Sequence, residues 1–290
     1  PYFYFSDLVV GETTCDGKKK MYEYMADFKA VHVMQLPNSA TDAASRALWK
    51  SEILRLQQHI EERFGQSISE AALREAIVLK NRERQATADF YHLGQLNPPA
   101  LSGTDILKVV YGATFRFDKN ALISELNEMT ARVKAEWQEG KRLESRPRIL
   151  ITGCPIGGAA EKVVRAIEEN GGWVVGYENC TGAKATERNV AEDGDVYDAL
   201  TDKYLAIGCS CISPNTERLR LLSQMVEEYQ VDGVVDVILQ ACHTYAVESL
   251  SIKRHVRQHH DIPYMAIETD YSTSDIGQLS TRVAAFIEML

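Results

Sequence analysis

The chain lacks most of the signatures that assign a protein at sight. It has no basic excess: 32 lysines and arginines stand against 41 acidic residues, for a net charge of −9 over 290 residues. That balance points away from a nucleic-acid or membrane-surface binder. No apolar run approaches the roughly 20 residues of a spanning helix, and no signal peptide is visible. The dinucleotide fingerprint Gly-x-Gly-x-x-Gly is missing. No phosphate-loop lysine follows the one glycine-rich turn, Gly153-Cys154-Pro155-Ile156-Gly157-Gly158. The helix start after that turn could still attract an anion. There is no Cys-x2-Cys pair, and among the histidines only His243 adjoins a cysteine, so a zinc site is the poorer reading. Internal repeats and low-complexity segments are absent as well.

What the chain does have is six cysteines: Cys15, Cys154, Cys180, Cys209, Cys211 and Cys242. Nearly every one follows a run that reads as a β-strand. RILITGC carries Cys154, WVVGYENC carries Cys180 and VVDVILQAC carries Cys242. Cys209-Ser210-Cys211 follows the short apolar run YLAIG. In an open α/β sheet the carboxyl ends of the strands lie on one edge, where ligands bind. Thiols scattered in sequence can therefore converge in space, and converging thiolates suit a soft metal centre. The flanks are turn residues, Thr-Gly-Cys-Pro, Glu-Asn-Cys-Thr-Gly and Thr-Thr-Cys-Asp-Gly, where a merely structural thiol would sit inside the apolar run. Disulfides suit a large, helix-rich chain without a secretion signal poorly. Cys15 stands before a helix start followed by Lys18, Lys19 and Lys20, a setting that favours the thiolate. The plainer alternative is a set of buried free thiols with a solvated lysine run.

The pattern predicts an α/β protein built as two Rossmann-like domains with parallel sheets, the first carrying a helical block. Residues 1–36 read as strand, turn, helix, strand, with PYFYF strand-like. Trp49, Ile53, Leu56 and Ile60 share one helical face. Ser67-x-x-Glu70 reads as a capping box. Helices follow near Thr104–Tyr111 and Asp118–Glu139. The charged linker Gly140–Pro147 sets the expected boundary between a first domain, 1–140, and a second, 141–290. After it, strands at 148–152, 173–177, 233–239 and 264–267 alternate with helices, which implies a parallel sheet covered on both faces. The chain opens on Pro1, and a preceding segment carrying functional residues is expected. Glu268, Thr269, Asp270 and Tyr271 close the last strand near His243 and Tyr245. Loop capping is the plainer role for them, and no catalytic residue is assigned.

The motifs together resemble a known family. QACHTY, IETDYS followed by QLSTRVAAFIEML, ENCTG and TTCDGKK are similar to segments of the 2-hydroxyacyl-CoA dehydratase / benzoyl-CoA reductase subunits. TGCPIGG, GCSCISPN and QACHTY narrow the likeness to the double-cubane cluster proteins and to enterobacterial homologues of that family. The resemblance covers essentially the whole chain. It implies a cluster held in a cleft between the two domains. Cys15 and Cys242 match two of the three cysteines that hold a [4Fe–4S] cluster in ordinary members; the third has no counterpart here. Double-cubane members carry an [8Fe–9S] cluster, and Cys154, Cys209 and Cys211 are the expected further ligands, with Cys180 in reserve. Without its leader and in air, no intact double cubane is expected on the chain.

The resemblance further implies electrons from a homodimeric ATPase activator with its own [4Fe–4S] cluster, a homodimeric cytoplasmic protein and a small-molecule substrate. No nucleic-acid or membrane partner is expected. The main reading is a low-potential iron–sulfur reductase that accepts those electrons. The alternative is a subunit of a 2-hydroxyacyl-CoA dehydratase acting through a ketyl radical. A cluster-free structural or regulatory protein is the third.

Overall fold

A computed structural model describes residues 2–154 and 157–290. In chain order the elements are α1 (Tyr2–Phe5), β1 (Val9–Glu12), α2 (Asp16–Met25), β2 (Val31–Met34), α3 (Ala43–Phe64), α4 (Glu70–Tyr91), a 3-10 turn (His92–Gln95), α5 (Gly103–Ala113) and α6 (Lys119–Gln138). Then come β3 (Arg148–Gly153), α7 (Gly158–Glu169), β4 (Trp173–Tyr177), α8 (Ala183–Thr186), α9 (Val196–Leu205), α10 (Thr216–Glu228), β5 (Gly233–Leu239), α11 (His243–His259), β6 (Tyr264–Thr269) and α12 (Ile276–Ile287). The protein is thus mixed α/β with two parallel sheets, as the alternation predicts.

The chain packs as two units, but not as 1–140 and 141–290. The first comprises residues 1–78 and 190–215; the second comprises 79–189 and 216–290. The helical block is therefore split: α3 and the start of α4 stay with the first sheet, while the rest of α4, α5, α6 and the linker belong with the second. The reason is packing. Tyr177 Oη donates to the Gly103 carbonyl at 2.7 Å, Leu143 N donates to the Pro99 carbonyl at 2.9 Å, and Arg146 stacks on Trp173 at 4.4 Å. The charged linker is held by Pro99 at Leu143 and by Trp173 of β4 at Arg146 and Pro147, rather than left as a tether.

In the first unit β1 and β2 pair in parallel, with Val9 opposite Val31 and Glu12 opposite Met34. Residues 190–215 return to this unit, and α9 lies on α3. Met34, Trp49 and Leu205 share one small core, and Ile77, Val190, Val196 and Ala199 share another. At the rim Lys50 bridges Asp195 (3.1 Å) and Asp198 (2.7 Å), and Arg46 bonds Asp202 at 2.8 Å. Two local expectations change here. The run Tyr2–Phe5 forms a helical turn, not a strand, and Phe3 meets Phe28 edge-on at 6.4 Å. The cap of α4 is Ser69, whose Oγ accepts from Ala72 N at 3.2 Å. Ser67 is displaced from that role because Glu61 and Gln57 hold Ile68 outside the helix, through Ile68 N (2.7 Å) and its carbonyl (3.1 Å).

The second unit holds a four-stranded parallel sheet in the order β4-β3-β5-β6. Its strands are buried on both faces, so apolar residues run consecutively instead of alternating with polar ones. Ile149, Ile151, Val235 and Val237 face a core shared with Leu107, Leu126, Val163, Ile167 and Phe286 from α5, α6, α7 and α12. Leu150 and Val234 face the opposite core with Leu222, Met225, Ile252 and Val256 from α10 and α11. Strand order reverses between β3 and β5, and ligands of such sheets bind at the carboxyl ends beside that switch. Cys154 follows β3 and Cys242 follows β5.

Candidate functional site

Six thiols and no disulfide stand at the ends of these elements. The five expected ligands fall into one group in each unit: Cys15, Cys209 and Cys211 in the first, Cys154 and Cys242 in the second.

In the first unit Cys15 is the N-cap of α2, and its Sγ accepts from Lys18 N at 3.4 Å. Helix N-termini orient N–H groups and positive potential toward such a sulfur. Thr13 fixes the approach: its N–H donates to the Met34 carbonyl at 3.0 Å and its Oγ1 accepts from Leu36 N at 2.9 Å. Of the three lysines, Lys18 feels the thiol's charge. Burial would lower its pKa, but Tyr22, Glu12 and Cys15 raise it. Lys19 and Lys20 pair with Asp16 and Glu23 on the surface.

Cys209 and Cys211 sit in the turn after α9. Ile212 N donates to the Cys209 carbonyl at 3.0 Å, and so does Asn215 Nδ2 at 3.0 Å. A hydrogen bond with Cys209, burial, and the charges of Cys209 and Cys15 push the Cys211 thiol well up. The three sulfurs are therefore one electrostatic group.

In the second unit Cys154 is buried at 3% exposure. Its Sγ accepts from Leu239 N at 3.3 Å, and its own N–H donates to the Val237 carbonyl at 2.8 Å. Burial foremost, then the neighbouring Cys242 and Asp236, push its pKa up to about 12 against the opposing Leu239 N–H. The approach depends on Gly153, at φ +105: a Cβ there would lie 2.1 Å from the Val237 carbonyl oxygen. Cys242 caps α11 by position, and its Sγ lies 3.7 Å from Thr244 Oγ1.

Cys180 is exposed, with Sγ 3.9 Å from Tyr245 Oη. Its turn is closed by Asn179 Oδ1, which accepts from Thr181 N (3.2 Å) and Oγ1 (2.8 Å). Gly182 completes it, since a Cβ there would lie 1.9 Å from the Tyr177 carbonyl oxygen. Within the glycine-rich turn, Pro155 and Ile156 lie outside the described residues.

The polar end of β6 serves as a cap. Thr269 Oγ1 donates to Asp275 (2.6 Å), Lys162 bonds Asp275 (2.6 Å), and Asp270 accepts from Ser272 N (2.8 Å). Lys162 thereby ties the end of β6 to α7.

Sequence reasoning missed one feature. Arg218 and Glu178 are wholly buried, Lys184 and Asp236 nearly so, and they meet beneath the thiol-bearing strand ends. The signal was there. Asp236 interrupts the apolar run GVVDVIL, and Arg218 shares the buried face of α10 with Leu221, Leu222 and Met225.

Among the described residues, no three His, Cys, Asp or Glu side chains meet as a single metal ion requires. No helix among them is long and apolar enough to cross a membrane. The thiols stand at parallel-strand ends and helix starts of an α/β fold. The chain belongs to the family described as 2-hydroxyglutaryl-CoA dehydratase, D-component, which matches residues 1–290. It is 85% identical over its whole length to a protein named as dehydratase subunit YjiM in Escherichia coli (strain K12), covering 76% of that protein. It is 24% identical over 260 residues to the (R)-phenyllactyl-CoA dehydratase beta subunit of Clostridium sporogenes, covering 88% of this chain and 67% of that one. A benzoyl-CoA reductase subunit of Thauera aromatica is 19% identical over 298 residues, covering 99% of this chain and 75% of that one.

Proposed function

We propose that this chain is a subunit of a 2-hydroxyacyl-CoA dehydratase-type enzyme and that its strand-end thiols hold an iron–sulfur cluster. The relatives bearing dehydratase names favour this over a free-standing small-molecule reductase, the main reading from sequence. The observation that carries the cluster is the nearness of thiols from separate loops, Cys15 to Cys209 and Cys211, and Cys154 to Cys242. A zinc ion needs four ligands around one point. In a cubane each thiolate takes a different iron, so the thiols stand further apart. That donor set fits an iron–sulfur group better than a lone ion.

When bound, the group would supply single electrons at low potential. The chain's own part is to present thiols and to shield them. Burial holds Cys154 protonated, so loading must release its proton. The Cys15 sulfur receives the Lys18 N–H and the field of a helix start. The chain has no phosphate loop, so an ATP-hydrolysing activator is the proposed electron donor, and a homodimer is the proposed assembly. The resemblance gives Cys15 and Cys242 to a [4Fe–4S] cluster and adds Cys154, Cys209 and Cys211 for an [8Fe–9S] cluster.

The test is anaerobic preparation of the full-length protein, with iron and sulfide counts before and after ATP-driven reduction by the activator. Eight irons per chain with ATP-dependent bleaching supports the double-cubane form, and four supports the ordinary form. A colourless protein that takes up no iron would sink the cluster and favour a structural or regulatory role.

A further inference from the structure

A buried ionic group underlies the thiols of the second unit, and no step of the proposed function uses it. Arg218, on α10, is at its centre with a fully buried side chain. Its Nη2 donates to Thr152 Oγ1 at 2.9 Å, its Nη1 bonds Glu248 Oε2, and its Nε lies 3.4 Å from Glu178 Oε2. Asp236 Oδ1 is 3.9 Å from Nη2, and Asp236 Oδ2 accepts from Tyr264 Oη at 2.7 Å. Glu178 also accepts from Thr152 Oγ1 at 2.6 Å and pairs with Lys184 at 3.1 Å. Lys184 and Arg218 both lie against the Tyr245 ring, at 5.5 and 4.9 Å.

Such a group is a poor device for stability. Taking charges out of water is costly, and well-packed apolar replacements are often as stable or more so. Its retention under one edge of a sheet calls for another reason, and the chain positions supply it. Thr152 is two residues before Cys154, Glu178 is two before Cys180, and Tyr245 is three after Cys242. Each thiol-bearing strand end in this unit is thus anchored, within three residues, to a side chain that touches Arg218 directly.

We propose that Arg218 is a positioning residue that fixes the three strand ends bearing Cys154, Cys180 and Cys242 before anything binds there. A guanidinium suits this role because its fork presents several donors in fixed directions, here to three different elements. A lysine offers one point charge and cannot reproduce them. Pre-setting the thiols lowers the ordering cost of binding a group across several loops. The metal-binding consequence rests on the cluster reading above; the ordering of the loops does not.

The experiment separates the two. Alkylation rates of all six cysteines are measured by mass spectrometry in the reduced, metal-free chain, with iodoacetamide as probe. The variants are Arg218→Lys, which keeps the charge, and Arg218→Met/Glu248→Gln, which removes one charge of each sign. In both, Cys154 should react about tenfold faster or more, because local opening exposes it. Cys15, Cys209 and Cys211 should keep their wild-type rates. Wild-type rates at Cys154 in the lysine variant would overturn the proposal. So would equal acceleration of all six, which is the mark of global destabilisation.

A second arm offers ferrous iron and sulfide to the full-length protein. The Arg218→Lys variant should take up less iron than wild type. Equal uptake, with Cys154 alkylated at the wild-type rate, would remove any positioning role. If wild type itself takes up none, the cluster reading fails, and the alkylation arm still decides the role of Arg218.

Discussion

The two units hold their thiols by opposite means. In the first, the returning segment 190–215 brings Cys209 and Cys211 to Cys15, and surface ion pairs, Lys50 with Asp195 and Asp198 and Arg46 with Asp202, line its seam with α3. In the second, Cys154 and Cys242 stand on the central strands of a four-stranded sheet, over a buried ionic group. Exposed pairs gain little, whereas buried pairs lose heavily when one partner is removed. The first thiol group is therefore expected to open more easily than the second.

The largest effect should come from Cys242→Ser in the full-length protein. Iron content and activator-dependent, ATP-driven reduction should fall together, while Cys180→Ser does much less. Normal iron and turnover in the Cys242 variant would make the thiols of the second unit incidental.

Next in size is Leu222→Ala. Leu222 is fully buried on α10, one turn beyond Arg218. Truncating such a leucine costs about 3 kcal/mol through lost burial and the cavity left behind. Urea unfolding should show that loss, with Cys154 becoming alkylatable at lower urea while the first-unit thiols change little. Parallel changes in both groups would show that the units do not open separately.

A smaller effect concerns pH in the reduced, metal-free chain. The folded-state pKa of Cys154 is raised to about 12, above the roughly 8.5 of a free thiol. The unfolded chain then releases the proton first. The contribution of this buried neutral thiol is complete below about pH 8.5 and is lost as pH climbs toward 12. The urea midpoint of wild type should fall over that window more steeply than that of Cys154→Ala. Equal slopes would mean that Cys154 is not buried as described.

The smallest effect should be Lys50→Gln. Its partners are exposed carboxylates, and its unfolding midpoint should be hard to separate from wild type. A loss rivalling Leu222→Ala would mean that the seam in the first unit depends on its charges.

Much of the second unit was legible in the sequence because two-faced burial writes itself as unbroken apolar runs. RILITG, WVVGY and GVVDVIL each became a strand of the parallel sheet. The division of the chain was not legible. No composition shift marks residue 190 or 215, and the linker at 140–147 looks like a boundary because charged residues do not reveal whether a neighbouring tryptophan holds them, as Trp173 holds Arg146. The thiols were found from their turn-rich flanks. Arg218 was passed over because a lone charge on an amphipathic helix ordinarily faces water, and its partners Thr152, Glu178 and Glu248 come from far along the chain.

The most direct test of the thiol assignment is a protection footprint. The full-length protein is loaded anaerobically with iron and sulfide, alkylated without denaturation, and compared site by site with the metal-free form by mass spectrometry. Cys15, Cys154, Cys209, Cys211 and Cys242 should become protected on loading, with Cys180 still reactive. The same alkylation pattern in both forms would contradict the account.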